Sequence, residues 1–113
     1  MHELSLCRMM MDIIYKQFAL QTASRVIQVN IEIGRLAAVD LPALRLGFEA
    51  VSKDTIADQA IFNIIVIEGQ GYCEFCERVL QMQNKFDACQ SCGQYGLKVI
   101  QGEELQIKSM EVI

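Results

Sequence analysis

The spacing of hydrophobic and polar residues changes several times along this 113-residue sequence, and each change marks a structural element. Near the start, apolar residues recur at steps of three and four, which predicts an amphipathic helix from about Glu3 to Gln21. Between Arg25 and Arg35 apolar and polar residues alternate, which is typical of a half-buried strand. The residues predicted to form the inner face of the helix are Leu4, Cys7, Met11, Ile14 and Phe18.

A second helix and two more strands follow. Asp40 is suited to cap a helix that ends near Lys53, because its carboxylate can accept an N–H bond from the first turn. Pro42 fits that turn, where a missing N–H costs little. The nearly continuous apolar run from Ile61 to Ile67 predicts a strand covered on both faces, hence a central one. Strand character resumes from Leu105 to Ile113. The inner face of the second helix is expected to consist of Leu41, Leu44, Phe48 and Val51.

Two pairs of cysteines stand between the last two predicted strands. Each pair has two residues between its cysteines, so one tight turn can direct both sulfur atoms to a single point. Two such turns make a tetrahedron of thiolates, which is the geometry of a closed structural Zn²⁺ site. Two disulfides or free core thiols are the alternatives, and disulfides are disfavoured because nothing in the sequence resembles a secreted protein. The predicted zinc ligands are Cys73, Cys76, Cys89 and Cys92.

Together these patterns predict an α+β fold with a small mixed sheet of about three strands, two helices and an inserted zinc-ribbon-like finger. We expect an α/β domain over residues 1–68 with 99–113. The inserted zinc-binding domain would cover 69–98, with Gly69–Gly71 as a flexible joint. A segment of this length buries too little apolar surface to fold alone. The bound metal would therefore supply its stability.

Composition narrows the function. The chain is 52% hydrophobic and 21% charged, which suits one compact domain with a small appendage. No signal-peptide pattern opens the sequence, and its longest apolar run is too short to cross a bilayer. We therefore expect a cytoplasmic protein with no membrane partner. The net charge is −4, and the cysteine segment is itself acidic, so nucleic-acid binding is disfavoured.

His2 is the only histidine in the sequence and follows Met1 directly. If the His2 amide loses its proton, the Met1 amine and that amide close a five-membered chelate ring on a metal, and the amide and imidazole close a six-membered ring. The Glu3 amide or carboxylate can complete the set. Nitrogen and oxygen donors held in a plane suit Ni²⁺ or Cu²⁺. The alternative is a solvated histidine near a chain end, with Glu3 merely complementing the helix dipole.

Other candidate residues have simpler explanations. Cys7 is expected to be a buried apolar residue, with a supporting nickel or redox role as the alternative. The methionines at positions 9, 10 and 11 are expected to fill the core. No Ser-His-Asp set and no phosphate-binding glycine loop is present. Asp12, Glu32 and Glu49 stand where solvated faces are expected, so we do not expect an enzyme.

These features converge on a family. The opening Met1–Cys7, the strand Val26–Gly34 with Arg35 after it, the segment Phe48–Ala50 and the two late cysteine pairs resemble the HypA/HybF hydrogenase nickel-incorporation proteins. The resemblance covers essentially the whole chain. The Met-His-Glu start combined with this cysteine spacing is specific, whereas neither motif alone would be.

The resemblance implies a nickel metallochaperone for hydrogenase maturation, whose α/β domain over residues 1–68 with 99–113 would bind the nickel. By position, His2 would be the essential nickel ligand, with the Met1 amine and Glu3 beside it, and the four cysteines would hold zinc. Ni(II) would be transient cargo and Zn(II) structural. The implied partners are the nickel-associated GTPase HypB and the [NiFe]-hydrogenase large subunit, with urease maturation proteins as further candidates. We expect a monomer or a weak homodimer.

Two other functions stay open from the residues alone. One is a zinc-stabilised adaptor with no nickel role of its own, which would differ only in the use of His2. The other is a zinc-ribbon module that binds nucleic acid, which the acidic cysteine segment disfavours.

Overall fold

The computed structural model describes residues 2–113, and it confirms the predicted α+β fold class. Two helices and two three-stranded sheets make up this part of the chain. None of its helices is long and apolar enough to cross a membrane. The elements are α1 (Glu3–Phe18), β1 (Val26–Gly34), a 3₁₀ turn (Arg35–Ala37), α2 (Leu41–Ser52), β2 (Ile61–Ile67), β3 (Gly69–Cys73), β4 (Arg78–Met82), β5 (Lys98–Gln101) and β6 (Leu105–Val112). The strand orders are β2-β1-β6 in the first sheet and β4-β3-β5 in the second.

The backbone groups into two compact units. The first, here called the helical unit, comprises the chain up to Ile31, Val39–Ile65 and Gln106–Ile113. The second, here called the cysteine unit, comprises Glu32–Ala38 and Val66–Leu105. The predicted division of the chain into a nickel-binding and a zinc-binding domain stays a prediction.

Helix α1 confirms the predicted periodicity but ends at Phe18, three residues before the predicted end. The buried face of α1 differs from the predicted one at four positions. Leu6 and Met10 are buried although they were not predicted to be, whereas Leu4 and Phe18 are only half-buried. The expectation that all three methionines fill the core is wrong for Met9, which is 52% exposed. The residues of α1 that are buried are Leu6, Cys7, Met10, Met11 and Ile14.

Helix α2 begins where the sequence predicts. The Asp40 carboxylate accepts a bond of 3.1 Å from the Ala43 N–H, which satisfies one free donor of the first turn. Leu44 and Phe48 are fully buried as expected. The Phe48 ring stacks on Phe62 of β2 with 4.5 Å between the ring centroids, and this contact joins α2 to the strand.

The prediction that Ile61–Ile67 is a central strand is wrong. This strand, β2, lies at one edge of its sheet, and Ile61 is 59% exposed. The central strand is β1, whose Val29, Ile31 and Ile33 are at most 2% exposed. A continuous apolar run is therefore compatible with an edge strand, because packing against a helix can cover one of its faces.

The prediction of a flexible joint at Gly69–Gly71 is also wrong. These residues begin β3, the central strand of the second sheet, and Gln70 pairs with Gln81 of β4 and Gln101 of β5. A Cβ atom on Gly71 would lie 2.4 Å from the Met82 sulfur. Glycine is required at position 71 because Met82 packs closely against the backbone there, and not because the backbone must be flexible.

Three glycines meet where the 3₁₀ turn joins this sheet. A Cβ on Gly34 would lie 1.9 Å from the Gly102 carbonyl oxygen, and one on Gly102 would lie 2.7 Å from the Gly69 Cα. The Leu36 N–H donates to the Gly102 carbonyl at 2.7 Å. Arg35 makes two bonds of 2.8 Å to the Glu68 carboxylate. These contacts place residues 32–38 firmly in the cysteine unit.

Cys7 and Gly47 provide a test of packing between the two helices. A Cβ on Gly47 would lie 2.7 Å from the Cys7 sulfur, and Cys7 is fully buried. We expect Gly47→Ala to lower the free energy of unfolding by about 1–2 kcal/mol, because overpacking outweighs the roughly 1 kcal/mol gained in helix propensity. Urea unfolding followed by circular dichroism at 222 nm measures this change.

The matched control is the same substitution made in a Cys7→Ala background. There the clash is absent, so Gly47→Ala should be neutral or stabilising, and the two sites should be coupled in the double-mutant cycle. A Gly47→Ala variant as stable as the parent protein would show that the helices are not tightly packed between Gly47 and Cys7.

Candidate metal centre

Two turns of the cysteine unit present its four cysteines. Cys73 is the last residue of β3, and Cys76 lies in the turn that leads to β4. Glu77 closes this turn with φ of +55°. The second pair lies in the loop between β4 and β5, where the Gly93 N–H donates to the Cys89 carbonyl at 2.8 Å. Gly93 has φ of +76°, a conformation that glycine adopts without strain.

The four sulfur atoms all lie within 4.8 Å of one another. The Cys73 and Cys92 sulfurs are 3.7 Å apart, and those of Cys76 and Cys89 are 3.9 Å apart. A tetrahedron with Zn–S bonds of about 2.3 Å has edges of about 3.8 Å, so the geometry fits zinc. These distances exclude disulfide bonds, whose S–S length is about 2.05 Å, and all five cysteines are free. The cluster is therefore able to hold a metal ion such as Zn²⁺.

Burial and hydrogen bonds differ among the four thiols. Cys73 and Cys89 are at most 3% exposed, whereas Cys76 and Cys92 are half-buried. Backbone N–H groups of Cys92 and Ser91 lower the pKa of Cys89 to about 6, which favours its thiolate. Hydrogen bonding to Cys92, followed by burial, raises the pKa of Cys76 to about 12. Cys89 is therefore the more acidic of these two thiols.

Cys7 stands apart from this cluster. Its sulfur donates to the Leu44 carbonyl at 3.4 Å, and burial raises its pKa to about 11. The side chain therefore stays a neutral thiol at physiological pH, as expected of a buried apolar residue. A metal or redox role for Cys7 receives no support from these surroundings.

The predicted nickel ligands lie at the start of α1. Met1 lies outside the described residues. His2 precedes the helix in an extended conformation, its side chain is exposed and makes no capping bond, and its carbonyl accepts the Leu6 N–H at 3.1 Å. Glu3 occupies the first turn and is half-buried. The structure therefore leaves the His2 imidazole available to a ligand.

The carboxylates considered for catalysis do not assemble. Asp12 and Glu49 are exposed and Glu32 is half-buried. Over residues 2–113, only the four cysteines form a metal-binding cluster of three or more His, Cys, Asp or Glu side chains.

Two exposed aromatic residues beside the cysteines were missed by the sequence analysis. Phe75 lies between Cys73 and Cys76 and is 75% exposed, and Tyr95 follows the second pair and is 79% exposed. The position of Phe75 between Cys73 and Cys76 could have predicted its exposure. A large apolar side chain inside so tight a metal-binding turn has no hydrophobic core within reach.

Comparison with known proteins identifies the family of this chain. The family described as "Hydrogenase/urease nickel incorporation, metallochaperone, hypA" matches residues 1–112. The chain belongs to the HypA family. The resemblance inferred from the terminal motif and the cysteine pairs is thereby confirmed, and the family's described role is nickel incorporation for hydrogenase and urease.

Relatives match along their full length. The chain is 44% identical to the hydrogenase maturation factor HypA of Alkalilimnicola ehrlichii, and the match covers 99% of both chains. It is 39% identical to HypA of Azotobacter chroococcum mcd 1 with the same coverage. The fold is similar to the solution structure of the Ni metallochaperone HypA from Helicobacter pylori, with a TM-score of 0.72 at 22% identity. That match covers 100% of this chain and 98% of the other.

Proposed function

We propose that this HypA-family protein binds one Ni²⁺ through Met1, His2 and Glu3 and delivers it to the large subunit of [NiFe]-hydrogenase. The observation that carries the proposal is the family match over residues 1–112, whose description names nickel incorporation. The exposed His2 supports it, because this side chain makes no capping bond that a metal would have to break.

The conformation of His2 favours a chelate that uses backbone nitrogen. His2 has φ of −72° and ψ of 130°, so it precedes the helix and its own N–H is not part of the regular helical bonding. A metal can displace the proton of this amide without unwinding α1. The Met1 amine, the His2 amide and the His2 imidazole then supply three nitrogen donors. The amide or the carboxylate of Glu3 supplies the fourth donor atom.

An exposed terminal site suits a protein that must give its cargo away. Protonation of the amine or of the displaced amide loosens the metal, and a partner's ligands can approach from solvent. A closed four-thiolate site has no open position and would hold nickel too firmly for transfer. The two metal sites therefore have different tasks.

The second site is proposed to hold structural zinc at Cys73, Cys76, Cys89 and Cys92. The sulfur–sulfur distances of 3.7 and 3.9 Å support this assignment, because they match a tetrahedral Zn–S₄ site. Zinc would stabilise the turns that carry the cysteines and take no part in nickel exchange. Neither metal would catalyse a reaction, so the protein is proposed to act as a chaperone and not as an enzyme.

We further propose a cytoplasmic site of action with the nickel-associated GTPase HypB as partner. Urease maturation proteins are secondary candidates, since the family description names both hydrogenase and urease. The net charge of −4 disfavours binding to nucleic acid or to anionic lipid.

Nickel transfer to a purified, nickel-free hydrogenase large subunit tests the proposed function. Protein loaded with one equivalent of Ni²⁺ should transfer it faster than a small nickel complex of equal affinity does, and His2→Ala should abolish this advantage. The measurement is nickel bound to the large subunit, separated by size exclusion and quantified by atomic emission.

Arg8→Ala is the matched control, because Arg8 is also exposed on α1 but offers no metal ligand. It should transfer nickel as the parent does. Equal transfer by the parent and by His2→Ala would contradict the proposed function and favour a zinc-stabilised adaptor.

A further inference from the structure

A small depression lies beside the cysteine cluster, and the proposed metal sites give it no role. It has a volume of about 190 Å³ and lies entirely within the cysteine unit. The residues that give it its chemistry are Cys73, Glu74, Phe75 and Tyr95. Two highly exposed aromatic residues, one acidic residue and one cysteine of the cluster thus border the same depression.

We infer that this depression receives an arginine side chain of a partner protein. An arginine guanidinium is planar, weakly hydrated and permanently charged, so it stacks on aromatic faces and bonds to carboxylates at the same time. Phe75 and Tyr95 supply the aromatic faces and Glu74 the carboxylate. Nickel plays no part in this contact, so the inference stands apart from the proposed cargo site.

Charge favours a cationic occupant. The cysteine unit carries seven acidic and four basic side chains, a net charge of −3, whereas the rest of the chain carries only −1. Four thiolates around one Zn²⁺ would add a further −2 close to the depression. Such a surface repels phosphates and attracts basic segments of proteins.

Glu74 already has one cationic neighbour within the chain. Its Oε1 pairs with the Lys98 ammonium, and both side chains are more than 60% exposed. An exposed pair of this kind contributes little and exchanges readily. The Oε2 atom remains as an acceptor, and an incoming guanidinium can bond to it while Lys98 competes for the same carboxylate.

Exposure of the rings argues for an intermolecular use. Phe75 and Tyr95 are 75% and 79% exposed, so neither contributes much to folding. Aromatic residues and arginine are enriched at the centre of protein interfaces, so burial of these two rings against an arginine of a partner would contribute to binding.

The experiment is an NMR titration of zinc-loaded, nickel-free ¹⁵N-labelled protein with the peptide acetyl-Gly-Leu-Arg-Leu-Gly-amide. We expect saturable shifts confined to residues 73–76 and 94–97, with a Kd of order 1 mM for so small a probe. The same peptide with citrulline in place of arginine keeps the shape but lacks the charge, and it should produce no saturable shifts. A lysine peptide should bind about 3-fold more weakly.

Variants separate the depression from general surface attraction. The double variant Phe75→Ala/Tyr95→Ala should weaken binding at least about 5-fold, while Phe86→Ala should not change it. Phe86 is the matched control, because it is 83% exposed in the same unit but lines a different cavity. Lys98→Gln should strengthen binding about 2-fold by removing the competing cation. Zinc content, measured on each variant, should remain at one equivalent.

Three results would overturn the inference. Equal binding of the citrulline peptide would make the site a simple apolar contact. Shifts spread over the whole acidic surface would indicate unspecific attraction. An equal loss of affinity in Phe86→Ala would show that the depression has no special role.

Discussion

Replacement of Cys73 by alanine is expected to reduce the zinc content from one equivalent to none and to unfold the sheet formed by β3, β4 and β5. Apart from the ligands Cys73 and Cys89, the buried apolar residues of the cysteine unit are only Ile33, Leu36 and Met82. Such a small core cannot offset the conformational entropy of the 47 residues of this unit. Binding of a structural zinc ion contributes on the order of 10 kcal/mol to the folding of comparable units.

Metal analysis and ¹H–¹⁵N correlation spectra measure both effects. In Cys73→Ala, amide signals from residues 69–101 should collapse to unfolded positions, while those of α1 and α2 persist. Cys7→Ala is the matched control, because Cys7 is buried far along the chain from the cluster and bonds to Leu44. It should keep one equivalent of zinc. A Cys73→Ala protein with zinc and an intact sheet would refute the four-thiolate assignment.

A Gly-Ser-Gly-Ser extension placed before Met1 is expected to abolish high-affinity nickel binding and leave zinc content and fold unchanged. Four residues are used because a single added residue would place the histidine third in the chain, where the new amine, two amides and the imidazole could still chelate Ni²⁺. The extension turns the Met1 amine into an amide, so the five-membered ring with the His2 nitrogen loses its amine donor. His2→Ala should have the same effect through loss of the imidazole. Isothermal titration of zinc-loaded protein with Ni²⁺ measures the loss, which should exceed about 100-fold because one of three chelating nitrogens is removed.

The terminal chelate also has a characteristic pH dependence. An α-amino group has a pKa of about 7.7–8.0, so below this range binding displaces at least two protons, one from the amine and one from the His2 amide. The Kd should therefore rise about 100-fold for each unit by which the pH falls below 7.7. Above 8.0 only the amide proton is displaced, so the Kd should fall only about 10-fold for each further unit of pH. Equal nickel affinity in the native and Gly-Ser-extended proteins would locate the nickel site elsewhere.

The helices and the candidate zinc cluster could be predicted because their determinants are local. The stripe around Cys7 and Ile14, the Asp40 cap and the two-residue cysteine spacings each act within about one turn of chain. Local rules of periodicity, capping and ligand geometry therefore suffice for these features.

The position of β2 and the role of Gly69–Gly71 could not be read from the sequence. An apolar run such as Ile61–Ile67 has the same pattern at the edge of a sheet as at its centre, because strand order depends on long-range pairing. Glycine signals either backbone freedom or close approach, and only the Met82 and Leu36 side chains against β3 decide between them. Likewise, no local rule anticipated that Phe75 and Tyr95 line one cavity.

The proposed nickel site differs from both cases. Its donors would be an amine and a backbone nitrogen as well as one imidazole, so it would not contain the three or more clustered side chains that the four cysteines provide within residues 2–113. Sequence reasoning reached it only through the position of His2 directly after Met1. That assignment stays a prediction until nickel is titrated.

The contribution of residues 32–38 to the cysteine unit limits how this protein can be cut or recombined. A fragment cloned as residues 66–105 would lack Arg35, which bonds to Glu68, and Leu36, which bonds to Gly102 and fills the space beside Gly69. This fragment should fold poorly even with zinc. A transfer of the cysteine unit into another protein would have to include residues 32–38 as well. Gene shuffling would therefore tend to exchange this protein as a whole.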